Sequence, residues 1–163
     1  MYLIEWGFWQ MATESEAARK AYEAEITPRE KRANQDFYEG DVEKDSEAEA
    51  IAAAREVAAQ IAVLAADPGN NGQLPRRQAD LLSSSGLTAI AVPAEFGGLG
   101  ASVQTIVETV RIISAADGGV GQLLQIHHVM LRGVLSGYPD EVRDRLIADL
   151  LAGKRLGNAL AEI

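Results

Sequence analysis

The chain has 163 residues, 47% of them hydrophobic and 6% aromatic, which is room for one ordinary domain with a sizeable core. Its net charge is −9, and residues 1–50 hold 13 acids against 6 bases, so −7 of that charge lies in the first third and the body is close to neutral. No cluster of Lys and Arg offers a face to nucleic acid, and the lack of cysteine excludes a disulfide framework, a thiolate metal site and a Cys nucleophile, a composition that fits the cytoplasm.

Residues 1–11, MYLIEWGFWQM, are apolar and aromatic. They are too few to span a bilayer, and they lack the basic flank and small-residue cleavage site of a secretory signal. They read either as an upstream start ahead of Met11 or as a short anchor onto a partner surface. Residues 12–45 are rich in Glu, Lys and Ala, interrupted by Pro28 and Gly40. A helix over residues 14–26 fits this stretch, with too few apolar positions to bury a face. Residues 1–45 are therefore expected to be a mostly solvated leader.

The body is expected over residues 46–155. Ser46 with Glu49 predicts a capping box, and Ile51, Ala54, Ala58, Ile61 and Ala65 then recur at spacings of three and four, one stripe of a first helix. Asp67, Pro68 and Gly69 stop it. Pro75 suits the first turn of a second helix and Gly86 its C′ position. Residues 87–92 predict a short extended run into Pro93-Ala94-Glu95-Phe96-Gly97-Gly98-Leu99-Gly100, whose glycines require unusual backbone angles or a close approach.

Ser102 can cap a third helix with Val103, Ile106, Val107, Val110 and Ile113 inward, and Asp117 a fourth with Val120, Leu123, Leu124, Leu131 and Val134 inward. A fifth helix starts near Pro139, with Asp140 and Glu141 placed well for the macrodipole. It buries Val142, Leu146, Ile147 and Leu150 and ends at Gly153. Residues 156–163, LGNALAEI, read as the start of a β-strand with nothing to pair with. The fold class is all-α, an orthogonal bundle of about five helices, and the sequence reads as stopping mid-fold.

Chemistry-bearing residues are few. His127 and His128 are the two histidines, His127 in the middle of the fourth helix's apolar stripe and His128 at its edge. On residues alone each is a hydrogen-bonded core residue sooner than a catalyst. Adjacent histidines cannot share a metal from one helix face, which needs spacings of three or four, so no metal site is expected. The glycines at 97–100 do not make a phosphate loop, and they read as a structural turn. Glu95 and the Arg76-Arg77 pair read as solvated.

Together these segments resemble the acyl-CoA dehydrogenase superfamily over residues 45–163. The match is carried by Leu74-Pro75, Leu81-Leu82, Ser85-Gly86-Leu87, VPAEFGGLGAS at 92–102 and AADGGVGQ at 115–122. Within it the chain looks most like the reduced-flavin monooxygenase branch that includes dibenzothiophene and sulfone monooxygenases. Gln125-Ile126-His127 resembles that branch's Gln-x-His, and Gly157-Asn158-Ala159 with Glu162 resembles its entry to a middle β-domain. The resemblance implies reduced FMN or FAD delivered by a flavin reductase and a small hydrophobic, organosulfur-like substrate. It places His127 as a catalytic group near the flavin–oxygen adduct and Asn158 at the flavin ring. Phe96, Gly97, Gly98 and Leu124 would line the substrate pocket. It also implies a homo-tetramer for the complete enzyme, and a middle β-domain and C-terminal helical domain that this chain lacks, so the chain is expected to be inactive alone. The competing expectations are the N-terminal domain of an FAD-dependent acyl-CoA dehydrogenase and a non-enzymatic helical module docking to a partner chain.

Overall fold

In the computed structural model the described residues are 44–67 and 74–158. The leader up to residue 43, with its expected helix, and the last five residues of the expected strand lie outside them. Among the described residues the elements are α1 (Lys44–Ala65), α2 (Arg76–Ser84), a 3₁₀ turn (Ala94–Phe96), α3 (Val103–Ala116), α4 (Gly118–Gly137) and α5 (Asp140–Leu151), with no strand. The all-α expectation holds.

α1 is built from good helix formers and buries Ala50, Ala54, Val57, Ala58 and Ile61 along one stripe. Its small residues allow close packing on α3, its most extensive partner. The helix already runs at Lys44, so Ser46 lies inside it and is not its cap. The carboxylate with a structural task is Glu47, which accepts the Ser102 backbone N–H at 2.7 Å and so ties α1 to the start of α3. Partial burial raises the pKa of Glu47, but the hydrogen bonds from the Ser102 side chain and backbone and from Thr105 outweigh it and hold it below the usual range.

The caps expected for α3 and α4 are present. Ser102 Oγ accepts from Thr105 N–H, and the Asp117 carboxylate accepts from Gly119 N–H at 2.8 Å and Val120 N–H at 3.1 Å. The buried face of α3 differs from the expected one: Thr105, Ile106, Thr109, Ile112 and Ile113 point inward, and Val107 is 60% exposed. Thr109 is admitted because its hydroxyl donates back to the Thr105 and Ile106 carbonyls, at 2.9 and 2.7 Å, and so satisfies its own polar atom. α4 follows α3 directly and packs on it so closely that a Cβ at Gly121 would fall 2.7 Å from Ser114 Cα.

Residues 87–92 are not extended. Two successive turns, closed by Ala89 N–H to Gly86 O and Val92 N–H to Ala89 O, bury Leu87, Thr88, Ile90, Ala91 and Val92 without neighbouring strands. The apolar run signalled burial correctly and conformation wrongly, since a short buried run carries no period of its own.

Candidate functional site

His127 and His128 sit on the third turn of α4, both buried, His127 completely. The Leu156 backbone N–H donates to His127 Nδ1 at 3.0 Å. On the other side of the ring Nε2 lies 2.8 Å from the Thr88 carbonyl oxygen. An N–H can only donate and a carbonyl can only accept, so the proton is on Nε2, and the ring is neutral with both nitrogens engaged. Burial lowers the pKa of His127, the Thr88 bond opposes this, and the Arg155 charge lowers it again. His128 stands edge-on to His127, ring centroids 5.3 Å apart at 75°. Neither of its nitrogens has a hydrogen-bond partner among the described residues, and burial followed by the neighbouring His127 pushes its pKa down to about 3.

The segment that meets His127 leaves α5 through a fixed exit. Gly153 adopts φ +85°, its N–H donates to the Leu150 carbonyl and that of Lys154 to the Asp149 carbonyl, the bond pair of a Schellman cap. Arg155 then reaches back to α2, where its Nη1 donates to the Ala79 carbonyl at 2.5 Å and to Ser83 Oγ. Leu156 packs against the core, and Gly157 and Asn158 follow, both exposed.

The loop at 93–101 is folded on itself. The Pro93 carbonyl accepts from the Phe96 and Gly98 N–H groups, and the Gly100 and Ala101 N–H groups return to the Val92 and Ile90 carbonyls. A Cβ at Gly98 would lie 2.1 Å from Val92 O, so this glycine is required by the chain's own close approach. Phe96 lies under the Arg143 guanidinium, 4.8 Å from ring centroid to Cζ, and Gly97 lies against Leu151. Phe96 and Gly97 therefore meet α5, while Leu124 is fully enclosed in the core. Of the residues expected to form a site, the structure joins His127 to the segment carrying Asn158. Sequence reasoning passed over Arg155 and Thr88, although a basic residue just beyond a helix-ending glycine is a signal for carbonyl capping. Thr88 enters through its main chain, which no side-chain pattern reveals.

The sequence profile of the acyl-CoA dehydrogenase N-terminal domain matches residues 43–154, more than half of the chain. The chain belongs to this family. Its curated relatives include a probable FMNH2-dependent monooxygenase of Pseudomonas putida, 37% identical over 93 residues that make up 56% of this chain and 24% of the relative. A dibenzothiophene monooxygenase of Rhodococcus erythropolis is 38% identical over 77 residues, 47% of this chain and 18% of that protein. The matched span is thus about a quarter or less of the length of these relatives. No solved structure matches. Within this acyl-CoA dehydrogenase-type domain the profile covers the helices and the histidine pair and ends one residue before Arg155. No described helix is long and apolar enough to cross a membrane.

Proposed function

We propose that this domain is one wall of the flavin site of a reduced-flavin monooxygenase that acts on a small hydrophobic, organosulfur-like substrate. The observation that carries this reading is the exit segment: a neutral histidine and an arginine hold residues 155–156, and they leave the Asn158 amide exposed directly beyond. The donor set suits a flavin edge. An amide can hydrogen-bond the ring without adding charge, and Gly157 beside it is exposed, with nothing within 4 Å of an added Cβ. Reduced FMN or FAD, delivered by a separate reductase, would supply the oxygen chemistry when bound. The chain's own residues would bind, orient and exclude water: Asn158 toward the ring, and Phe96, Gly97 and Gly98 as the loop on the substrate side, with Leu124 buried in the core and not in reach of a ligand. The likeness to two monooxygenases supports this branch over the dehydrogenase one. The domain alone provides one wall, so residues 156–163 would lead into a middle β-domain, turnover would require further domains, and the full assembly would be a homo-tetramer in the cytoplasm.

The test is made on the full product of the gene. Supplied with reduced FMN or reduced FAD and oxygen, it is expected to convert an added thiophene or sulfone into an oxygenated product, which reduced flavin and oxygen without the protein do not form. Reduction of bound oxidised flavin by an acyl-CoA thioester without oxygen would overturn the reading in favour of a dehydrogenase. Failure to bind either flavin would leave a docking module.

A further inference from the structure

We propose that His127 is a positioning residue, acting with Arg155 as a two-point clamp that fixes residues 153–158 across α2 and α4 and thereby sets where the Asn158 amide stands. Its link to catalysis rests on the flavin reading above, while the clamp itself stands on geometry alone.

Both anchors end on groups that cannot move independently of the fold. Arg155 donates to the Ala79 carbonyl and Ser83 Oγ on α2, and Gly153 passes so near the same helix that an added Cβ would lie 2.9 Å from Ser83 O. His127, fully buried on α4, takes the Leu156 N–H on Nδ1 and gives its Nε2 proton to the Thr88 carbonyl in the turn after α2. The imidazole thus bridges three stretches of chain distant in sequence: the turn after α2, α4 and the exit segment. One residue, Gly157, separates Leu156 from Asn158, so a chain pinned at 155 and 156 limits how far the Asn158 backbone can travel. Pinning it in advance removes an ordering cost that would otherwise fall on cofactor binding.

The bridge also accounts for what His127 does not do. A group that shuttles a proton needs a free nitrogen, and both nitrogens here face backbone partners of fixed polarity. Acting as an acid or base would require either Leu156 or Thr88 to let go. A residue that acts through the segment it holds needs no such release.

Three variants of the full gene product separate the roles. His127→Leu removes both bonds, His127→Asn keeps an acceptor for the Leu156 N–H but cannot exchange a proton near neutral pH, and Arg155→Met removes the exposed anchor with little risk to folding. Three readouts are taken: amide hydrogen exchange at Leu156, affinity for reduced flavin, and turnover. Exchange at Leu156 is expected to be slow in the parent protein, faster in His127→Leu and Arg155→Met, and partly restored in His127→Asn. Reduced-flavin affinity should fall roughly five- to tenfold for each lost anchor, the size of one ordinary hydrogen bond, with Asn again recovering part of it. Unprotected Leu156 exchange in the parent protein overturns the clamp. Slow exchange with Asn as damaging to turnover as Leu, at normal flavin affinity, overturns the positioning role in favour of proton transfer. Slow exchange that the variants release, in a protein that binds no flavin, keeps the clamp and refutes the flavin reading instead.

Discussion

His128 shows at the scale of one residue how burial and polarity conflict. A neutral imidazole with both nitrogens unpaired forgoes the hydrogen bonds it would make in water, a loss of about 1–3 kcal/mol. Phenylalanine has a similar ring and no such debt, so His128→Phe is expected to raise stability at pH 7 by about 1–2 kcal/mol in urea unfolding. A loss of stability would show that the nitrogens have partners. The same residue gives a pH dependence of definite sign. In the unfolded chain a histidine takes its proton near pH 6.5, whereas in the folded one His128 resists to about pH 3 and His127 is also shifted down. Between those limits the unfolded state binds more protons. Stability is therefore complete above about pH 6.5 and declines as pH falls, by on the order of 1 kcal/mol per unit for each fully shifted group. Glu47, whose folded pKa is depressed, adds a further decline at lower pH, as pH falls from its unfolded value through its folded one. Urea midpoints measured from pH 7 to pH 4 should fall steadily in the parent chain and less steeply in His128→Phe. Parallel slopes would contradict the assignment.

The boundaries of the elements were legible where a side chain alone decides them. Ser102 and Asp117 cap α3 and α4 by accepting backbone N–H groups, Pro139 stands before α5 with its fixed φ and no side-chain cap bond, and Gly153 ends α5 at φ +85°, all where the sequence predicts. What could not be read depended largely on main-chain partners, which no pattern of side chains reveals. Glu47 rather than Glu49 carries the α1 contact because its partner is the Ser102 N–H, on the far side of α2 in sequence. The inward face of α3 turned toward Thr109 because its hydroxyl bonds the Thr105 and Ile106 carbonyls, and toward Thr105 because its hydroxyl meets Ser102 and Glu47, which removes the cost that hydropathy assigns them. The site followed the same rule: His127 was visible as the centre of a stripe, but its bridge to Thr88 and Leu156 runs through main-chain atoms. α3 and α4 approach each other closely at Gly121. At Gly121 alanine would gain about 1 kcal/mol of helix propensity, yet its Cβ would fall within 2.7 Å of Ser114 Cα and Cβ, where backbone must give way. Overpacking costs about 1–3 kcal/mol, so Gly121→Ala should destabilise on balance, whereas alanine at Gly133, with open space around it, should stabilise. Thermal unfolding of the two variants checks the pair, and equal shifts would mean that α3 and α4 are less closely packed than described.

For the whole molecule the decisive feature is apolar surface left in water. Val63 is 73% exposed, Val107 60%, Leu151 41% and Leu123 36%. Isolated exposed apolar residues are ordinary and need no partner. Leu123 and Leu151 are different in kind: Leu123 lies one helical turn before His127 on α4, and Leu151 lies against Gly97 at the start of the exit segment. On the flavin-site reading proposed above, both would be covered by the rest of the enzyme. On the 163-residue chain by itself that surface is expected to drive association and to bind a hydrophobic dye. Static light scattering should therefore give an apparent mass that rises with concentration. Leu123→Gln with Leu151→Gln should lower both the slope and the dye signal, and by more than Val63→Gln on α1 does. A chain that stays monomeric at high concentration and binds no dye would mean that this face is already content in water. The site would then need no covering domain, and the proposal that the wall is incomplete on its own would fail.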